Sequence, residues 1–83
     1  MPAQKSLRLE YYAAFREAAG LTEECLLSTA ATAADLYDEL AARHCFRFDR
    51  SVLSVAVNDS IVPWTAEVRD GDTVAFLTPF AGG

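Results

Sequence analysis

Eighty-three residues hold one domain and leave no room for a second core. With 52% hydrophobic and 23% charged residues, the composition is that of a folded globular chain rather than a disordered one. The net charge of −5 lacks the basic footprint that nucleic acid and anionic membrane demand, so both are excluded as partners and a protein with a basic rim is expected.

No run approaches transmembrane length, and Met1 to Ser6 is polar with no unbroken apolar stretch after it, so no signal peptide is read and a cytoplasmic location is expected. In that compartment Cys25 and Cys45, far apart and without neighbours at metal spacing, read as reduced thiols and not as a metal site, the alternative being one disulfide or a persulfide-carrying thiol. A core this small supplies about 3–5 kcal/mol, and a frequent partner would add to it.

In chain order, residues 1–5 read as a mobile arm. From Ser6 the sequence alternates, which predicts a half-buried strand with Leu7, Leu9 and Tyr11 inward and Arg8, Glu10 and Tyr12 outward. Ala13 to Ala19 reads as one helical turn or a tight loop stopped by Gly20, with Phe15 plugging the core edge and Arg16 either solvated or facing a partner. Thr22 to Ser28 predicts a second strand, at an edge, in which Cys25 and Leu27 share one face, Glu24 and Leu26 the other, and Cys25 is a small core hydrophobe.

The period then changes. Thr32 followed by Asp35 is the acidic form of a capping box, and Leu36, Tyr37, Leu40 and His44 recur at helical spacing, which predicts a helix over Ala33 to His44. His44, the only histidine, has no Ser or Cys at motif spacing and reads as a helix-end residue that suits the dipole. After the connector from Phe46 to Ser51, Val52 to Val57 predicts a strand with Leu53, Val55 and Val57 inward. Asn58-Asp59-Ser60 predicts a turn, Ile61-Val62 a short strand stopped by Pro63, and Trp64 a lid on the core. Asp70-Gly71 is a tight turn into a last strand, Thr73 to Leu77, with Val74 and Phe76 inward and Ala75 and Leu77 outward.

Pro79 ends that strand because it has no N–H to donate. The tail, residues 78–83, then carries one anchor ring, Phe80, and thins to Ala81, Gly82 and Gly83. If extended, those six residues reach roughly 20 Å, enough to thread a channel and present the Gly83 carboxylate. Tyr12, Leu77 and Phe80 are expected to form one exposed apolar patch leading to it. The order strand, strand, helix, strand, short strand, strand predicts an α+β fold of the β-grasp (ubiquitin-like) type. Its mixed sheet has four to five strands, one main helix packed on one face, and the first and last strands parallel at its centre.

The stretches Tyr11 to Gly20, Val57-Asn58-Asp59, Asp70 to Phe76 and Pro79 to Gly83 together resemble the small subunits of molybdopterin synthase (MoaD), within the ubiquitin-like sulfur carriers. The resemblance implies no bound cofactor and no metal. An E1-like enzyme would adenylate the Gly83 carboxylate with ATP, and a sulfur donor would convert it to a thiocarboxylate. The tail would then enter the large catalytic subunit of a heterotetrameric complex, to give sulfur to cyclic pyranopterin monophosphate and form molybdopterin. It also implies that Phe80, Ala81 and Gly82, after Pro79, fit the channel while Tyr12, Arg16 and Leu77 meet the large subunit. The chain itself would then be non-catalytic, in keeping with a sequence that holds no credible triad or phosphate-cradling Gly loop.

Three other readings compete. One is a carrier for thiamine or cysteine synthesis, or a ubiquitin-like modifier. Another is a non-covalent β-grasp interaction module with an inert tail. A persulfide carrier on Cys25 or Cys45 is the weakest, since Cys25 is expected to be buried.

Overall fold

A computed structural model describes residues 4–79. Its strands are β1 (Lys5–Glu10), β2 (Glu23–Ser28), β3 (Ser54–Val57), β4 (Ser60–Val62) and β5 (Thr73–Leu77). Its helices are α1 (Ala13–Ala19) and α2 (Ala33–His44), with a 3-10 turn at Arg50–Val52. The five strands form one sheet in the order β2-β1-β5-β3-β4. β1 runs parallel to β5 with Leu9 opposite Val74, and every other neighbouring pair is antiparallel. This is the mixed β-grasp sheet expected from the order of elements, with β5 at its centre.

The core lies between one sheet face and α2. Leu7, Leu9, Val55, Val74 and Phe76 supply the sheet side, and Leu36, Tyr37 and Leu40 the helix side, all buried. Thr32 starts α2 by accepting a hydrogen bond from the Asp35 N–H, which satisfies one of the donors a helix start leaves free. Removing that cap by Thr32→Ala is expected to cost about 1 kcal/mol in urea unfolding. The long connection after β4 is tied to the same helix start, with Ala33 N–H donating to the Ala66 carbonyl and Ala34 N–H to that of Trp64. Val68 from this connection plugs the core, and the Trp64 ring stacks on Phe76, the lid expected of it.

β1 begins at Lys5, which lies opposite Ser28, so Lys5 belongs to the sheet and not to the arm read at residues 1–5. Three other local readings change. Ala13–Ala19 is a seven-residue helix rather than one turn or a loop. Its alanines favour the helix, Phe15 anchors it in the core, and Gly20 closes it at φ 74° by donating to the Arg16 carbonyl. β3 begins at Ser54 rather than Val52, because Asp49 accepts from the Ser51 N–H and winds the preceding residues into the 3-10 turn.

The third change concerns β2, whose faces are the reverse of the expectation. Its register sets Leu26 opposite Leu7 and Cys25 opposite Arg8, so Leu26 is buried while Cys25 and Leu27 are exposed. Burial therefore does not hinder the Cys25 thiol. β2 lies at the sheet edge, as expected, and Asn58-Asp59 makes the two-residue β3–β4 hairpin with both residues at positive φ.

The exposed start of β2 is held to the end of α2 by Glu24. Its Oε1 accepts from the Tyr11 hydroxyl at 2.6 Å and lies 2.6 Å from His44 Nε2, and Arg43 reaches its other oxygen at 3.8 Å. His44 is thus a structural residue, as its place at the helix end predicts. Burial pushes the Tyr11 phenol up, aided by the Glu24 carboxylate. Burial also raises the Glu24 carboxyl, but the hydrogen bonds from Tyr11 and His44 and the nearby cations outweigh it, and the net value lies below the ordinary one. A carboxyl lowered by folding contributes stability above its unfolded value, and that contribution is lost as pH falls through the folded value. We expect the urea midpoint to drop on acidification below about pH 4.3. In Glu24→Gln this part of the slope should be missing.

Candidate functional site at the root of the tail

Leu77 ends the central strand, and Thr78 and Pro79 carry the chain away from it. Phe80, Ala81, Gly82 and Gly83, the channel residues expected from the sequence, lie outside the described residues. What the fold shows is the surface from which they depart.

Tyr12 turns outward because β1 alternates and because Ala13 takes φ 48°, a left-handed conformation that swings the chain straight from strand into helix. That conformation costs a non-glycine residue about 1–2 kcal/mol, and it separates Tyr12 outside from Phe15 inside. Tyr12 is 48% exposed. Its hydroxyl donates to Glu10 Oε1 at 3.3 Å, and the Glu10 charge, with some desolvation, raises the phenol above its usual range.

Glu10 pairs with Ala75 across the parallel strands, and Tyr12 and Leu77 each lie two residues beyond that pair. Leu77 points to the outer face, as parity predicts, but it is half-buried, and Ala75 beside it is buried. Both lie in the central strand, where neighbours on either side cover a side chain even on the open face. Arg16 is exposed on α1, and no carboxylate of the described residues pairs with it. Tyr12, Arg16, Leu77 and Pro79 therefore all lie at the end of the sheet from which the tail leaves.

Two features here were not read from the sequence. The first is an apolar strip across the outer face. Ala75 pairs with Ala56, and Ala56 with Ile61, which is 64% exposed. Its only local signal was the alternation within the short Ile61-Val62 strand. The second is an apolar pocket of about 240 Å³ between the start of α1 and the tail root, lined by Ala13, Ala14, Phe48, Leu53 and Pro79 among others. It joins residues too far apart in the chain for any spacing rule.

The outer face is bordered by charge, where Arg8 bonds Glu23 and approaches Glu10; the hydrogen bond and charge of Glu23, with a smaller contribution from Glu10, hold its guanidinium above the usual range. Among the described residues, no group of His, Cys, Asp or Glu could hold a metal ion, and no helix is long and apolar enough to cross a membrane. The arrangement is an apolar face bordered by charge, beside the point where Thr78 and Pro79 leave the central strand.

The comparisons agree with this geometry. The model of the ThiS family matches residues 9–83. A molybdopterin synthase sulfur carrier subunit from Haemophilus influenzae is 30% identical over 80 residues, covering 93% of this chain and 99% of that one. Among solved structures, a putative molybdopterin converting factor subunit 1 from Pyrococcus furiosus matches with a TM-score of 0.76 and 33% identity over 90% of this chain and 98% of its own. A chain of the BexX/CysO complex from Amycolatopsis orientalis matches with a TM-score of 0.66 and 28% identity, over 93% of this chain and 99% of that one. With the sheet order, the central parallel pair and a family match running from β1 through the tail, the chain belongs to the ThiS family of ubiquitin-like proteins, the sulfur-carrier group that its sequence resembles.

Proposed function

We propose that this chain is the sulfur-carrier subunit of a molybdopterin synthase. The observation that supports this most is the near full-length match to the Haemophilus influenzae carrier subunit. The family model also extends to Gly83.

In this reading the Gly83 carboxylate attacks the α-phosphorus of ATP on an E1-like enzyme, releasing pyrophosphate and leaving an acyl-adenylate. Sulfide from a donor protein adds to the activated carbonyl and expels AMP, which gives the thiocarboxylate. Adenylation is needed because an oxyanion is a poor leaving group. The thiocarboxylate is then a soft nucleophile whose sulfur forms a C–S bond to cyclic pyranopterin monophosphate inside the large subunit and displaces an oxygen substituent from that carbon; water then cleaves the acyl–S bond of the resulting thioester, leaving the sulfur on the pterin and restoring the Gly83 carboxylate. The chain supplies no acid or base to these steps. It supplies a rigid central strand that aims the tail, and a face formed by Tyr12, Arg16 and Leu77 that holds the large subunit while Pro79, Phe80, Ala81 and Gly82 occupy its channel.

The resemblance to the BexX/CysO chain keeps a second acceptor in view, that of a carrier for another sulfur pathway. Reconstitution separates the two. The thiocarboxylated chain, mixed with a molybdopterin synthase large subunit and cyclic pyranopterin monophosphate, is expected to yield molybdopterin in proportion to the carrier added. A charged chain that transfers no sulfur there, where a known carrier does, would contradict the molybdopterin assignment.

A further inference from the structure

We propose that the open edge of β2 pairs antiparallel with the β2 edge of a second copy of this chain, joining the two sheets side by side. The pairing rests on strand geometry and holds whatever acceptor the chain serves.

The free backbone groups of β2 can be assigned residue by residue. Tyr11 N–H donates to the Thr22 carbonyl at 2.9 Å, and these two residues continue the β1–β2 register, so the ladder bonds fall on every second pair: Leu9 with Glu24, Leu7 with Leu26, and Lys5 with Ser28. The N–H and C=O groups of Glu23, Cys25 and Leu27 therefore face away from β1, and β2 is the last strand of the sheet. On the outer face the same stretch exposes Cys25 and Leu27, the latter to 60%. An edge with an unpaired ladder and an apolar face is a template for another strand.

Self-complementarity selects a second copy. With a twofold axis at Leu26, each Cys25 lies opposite the other copy's Leu27, the backbone bonds of that pair can close, and Leu26 meets Leu26 on the inner face. A twofold at Cys25 would instead set Leu26 against the Glu24 carboxylate. Charge agrees with the first arrangement. Glu23 is already bonded by Arg8, and Glu24 by Tyr11 and His44, so neither carboxylate is uncompensated. Antiparallel pairing also carries the acidic start of each β2 to the end of the other where Lys5 lies opposite Ser28. Six residues a side bury less than the roughly 1,000 Å² of a stable complex, so the pair is transient, with a dissociation constant on the order of 0.1–1 mM. β1 stands between β2 and β5, which leaves Leu77 and the tail root open in the pair.

Sedimentation equilibrium of the full chain under reducing conditions, from about 10 µM to about 1 mM, is expected to show the mass rising from one chain towards two. In Leu27→Lys, which places a cation on the open edge at an exposed position, the association should weaken roughly tenfold. In parallel, amide NMR of the unsubstituted chain over the same range should show the Cys25 and Leu27 signals moving with concentration, because their N–H groups gain partners, and the Leu26 amide moving least in the strand. This arm needs no variant and decides the matter even if Leu27→Lys fails to fold. A chain that stays monomeric throughout would overturn the pairing, as would a dimer equally stable in folded Leu27→Lys. Shifts confined to the strip through Ala56 and Ile61 would place the contact on the outer face and overturn it equally.

Discussion

Replacing Phe15 with Ala is expected to remove most of the stability of this domain. Phe15 is fully buried, and its ring centroid lies 4.8 Å from Phe48, 5.0 Å from Phe46, 5.9 Å from Phe76 and 6.4 Å from Tyr37. It is the ring on which the 46–48 connector, the central strand and α2 converge. Deleting a buried Phe costs about 3–5 kcal/mol through lost transfer free energy and the cavity left behind. In a domain of this size each kcal/mol shifts the melting temperature by about 4–8 °C, so a drop of roughly 15–30 °C is predicted in a thermal circular-dichroism scan. A shift below about 5 °C would mean that the site collapses without a cavity and that the aromatic cluster is not the keystone of the core. Because Phe15 sits three residues after Tyr12, the same variant should also loosen the outward face that carries Tyr12.

Replacing Leu77 with Arg is expected to act in the opposite manner, sparing the fold and removing the partner. Leu77 points to the open face of the sheet, opposite Ser54 in register, so a longer side chain finds solvent rather than core. The melt should move little. In the proposed complex, however, Leu77 lies where the tail leaves the domain, and placing a charge at a buried apolar contact costs about 2–4 kcal/mol, or at least about thirtyfold in affinity. Titration calorimetry against a purified large subunit measures this directly. An unchanged affinity would remove Leu77 from the interface and shift attention to the strip through Ala56 and Ile61.

Much of this fold was legible because several local signals agreed. Thr32 as a cap, Asp35 after it and the spacing of Leu36, Tyr37 and Leu40 marked α2 to the residue, and Asp70-Gly71 marked the turn before β5. Agreement between capping, periodicity and turn chemistry is what makes a segment unambiguous. β2 lacked such agreement. In Glu-Glu-Cys-Leu-Leu-Ser both faces carry an apolar residue, and only pairing with Leu7 decides that Leu26 goes inward and Cys25 outward. The length of α1 was hidden for a related reason, since its one strong anchor, Phe15, gains its value from rings more than twenty residues away.

At the site, the outward turn of Tyr12 and Leu77 followed from strand parity, which needs only the local alternation. Their placement at one end of the sheet needed the parallel pairing of β1 with β5. The pocket beneath the tail root is wholly a product of tertiary structure, because Ala14, Phe48 and Pro79 meet only after the sheet and α1 have packed.

The central claim is that this chain carries sulfur on its terminal glycine, and intact mass tests it most directly. The protein, with its natural terminus, is incubated with an E1-like activating enzyme, ATP and a sulfur donor, beside a chain lacking Gly83. The account predicts a mass gain equal to one oxygen replaced by sulfur in the full chain and none in the truncated one. No gain in the full chain, under conditions where the activating enzyme is shown to form an adenylate on a known carrier, would contradict it.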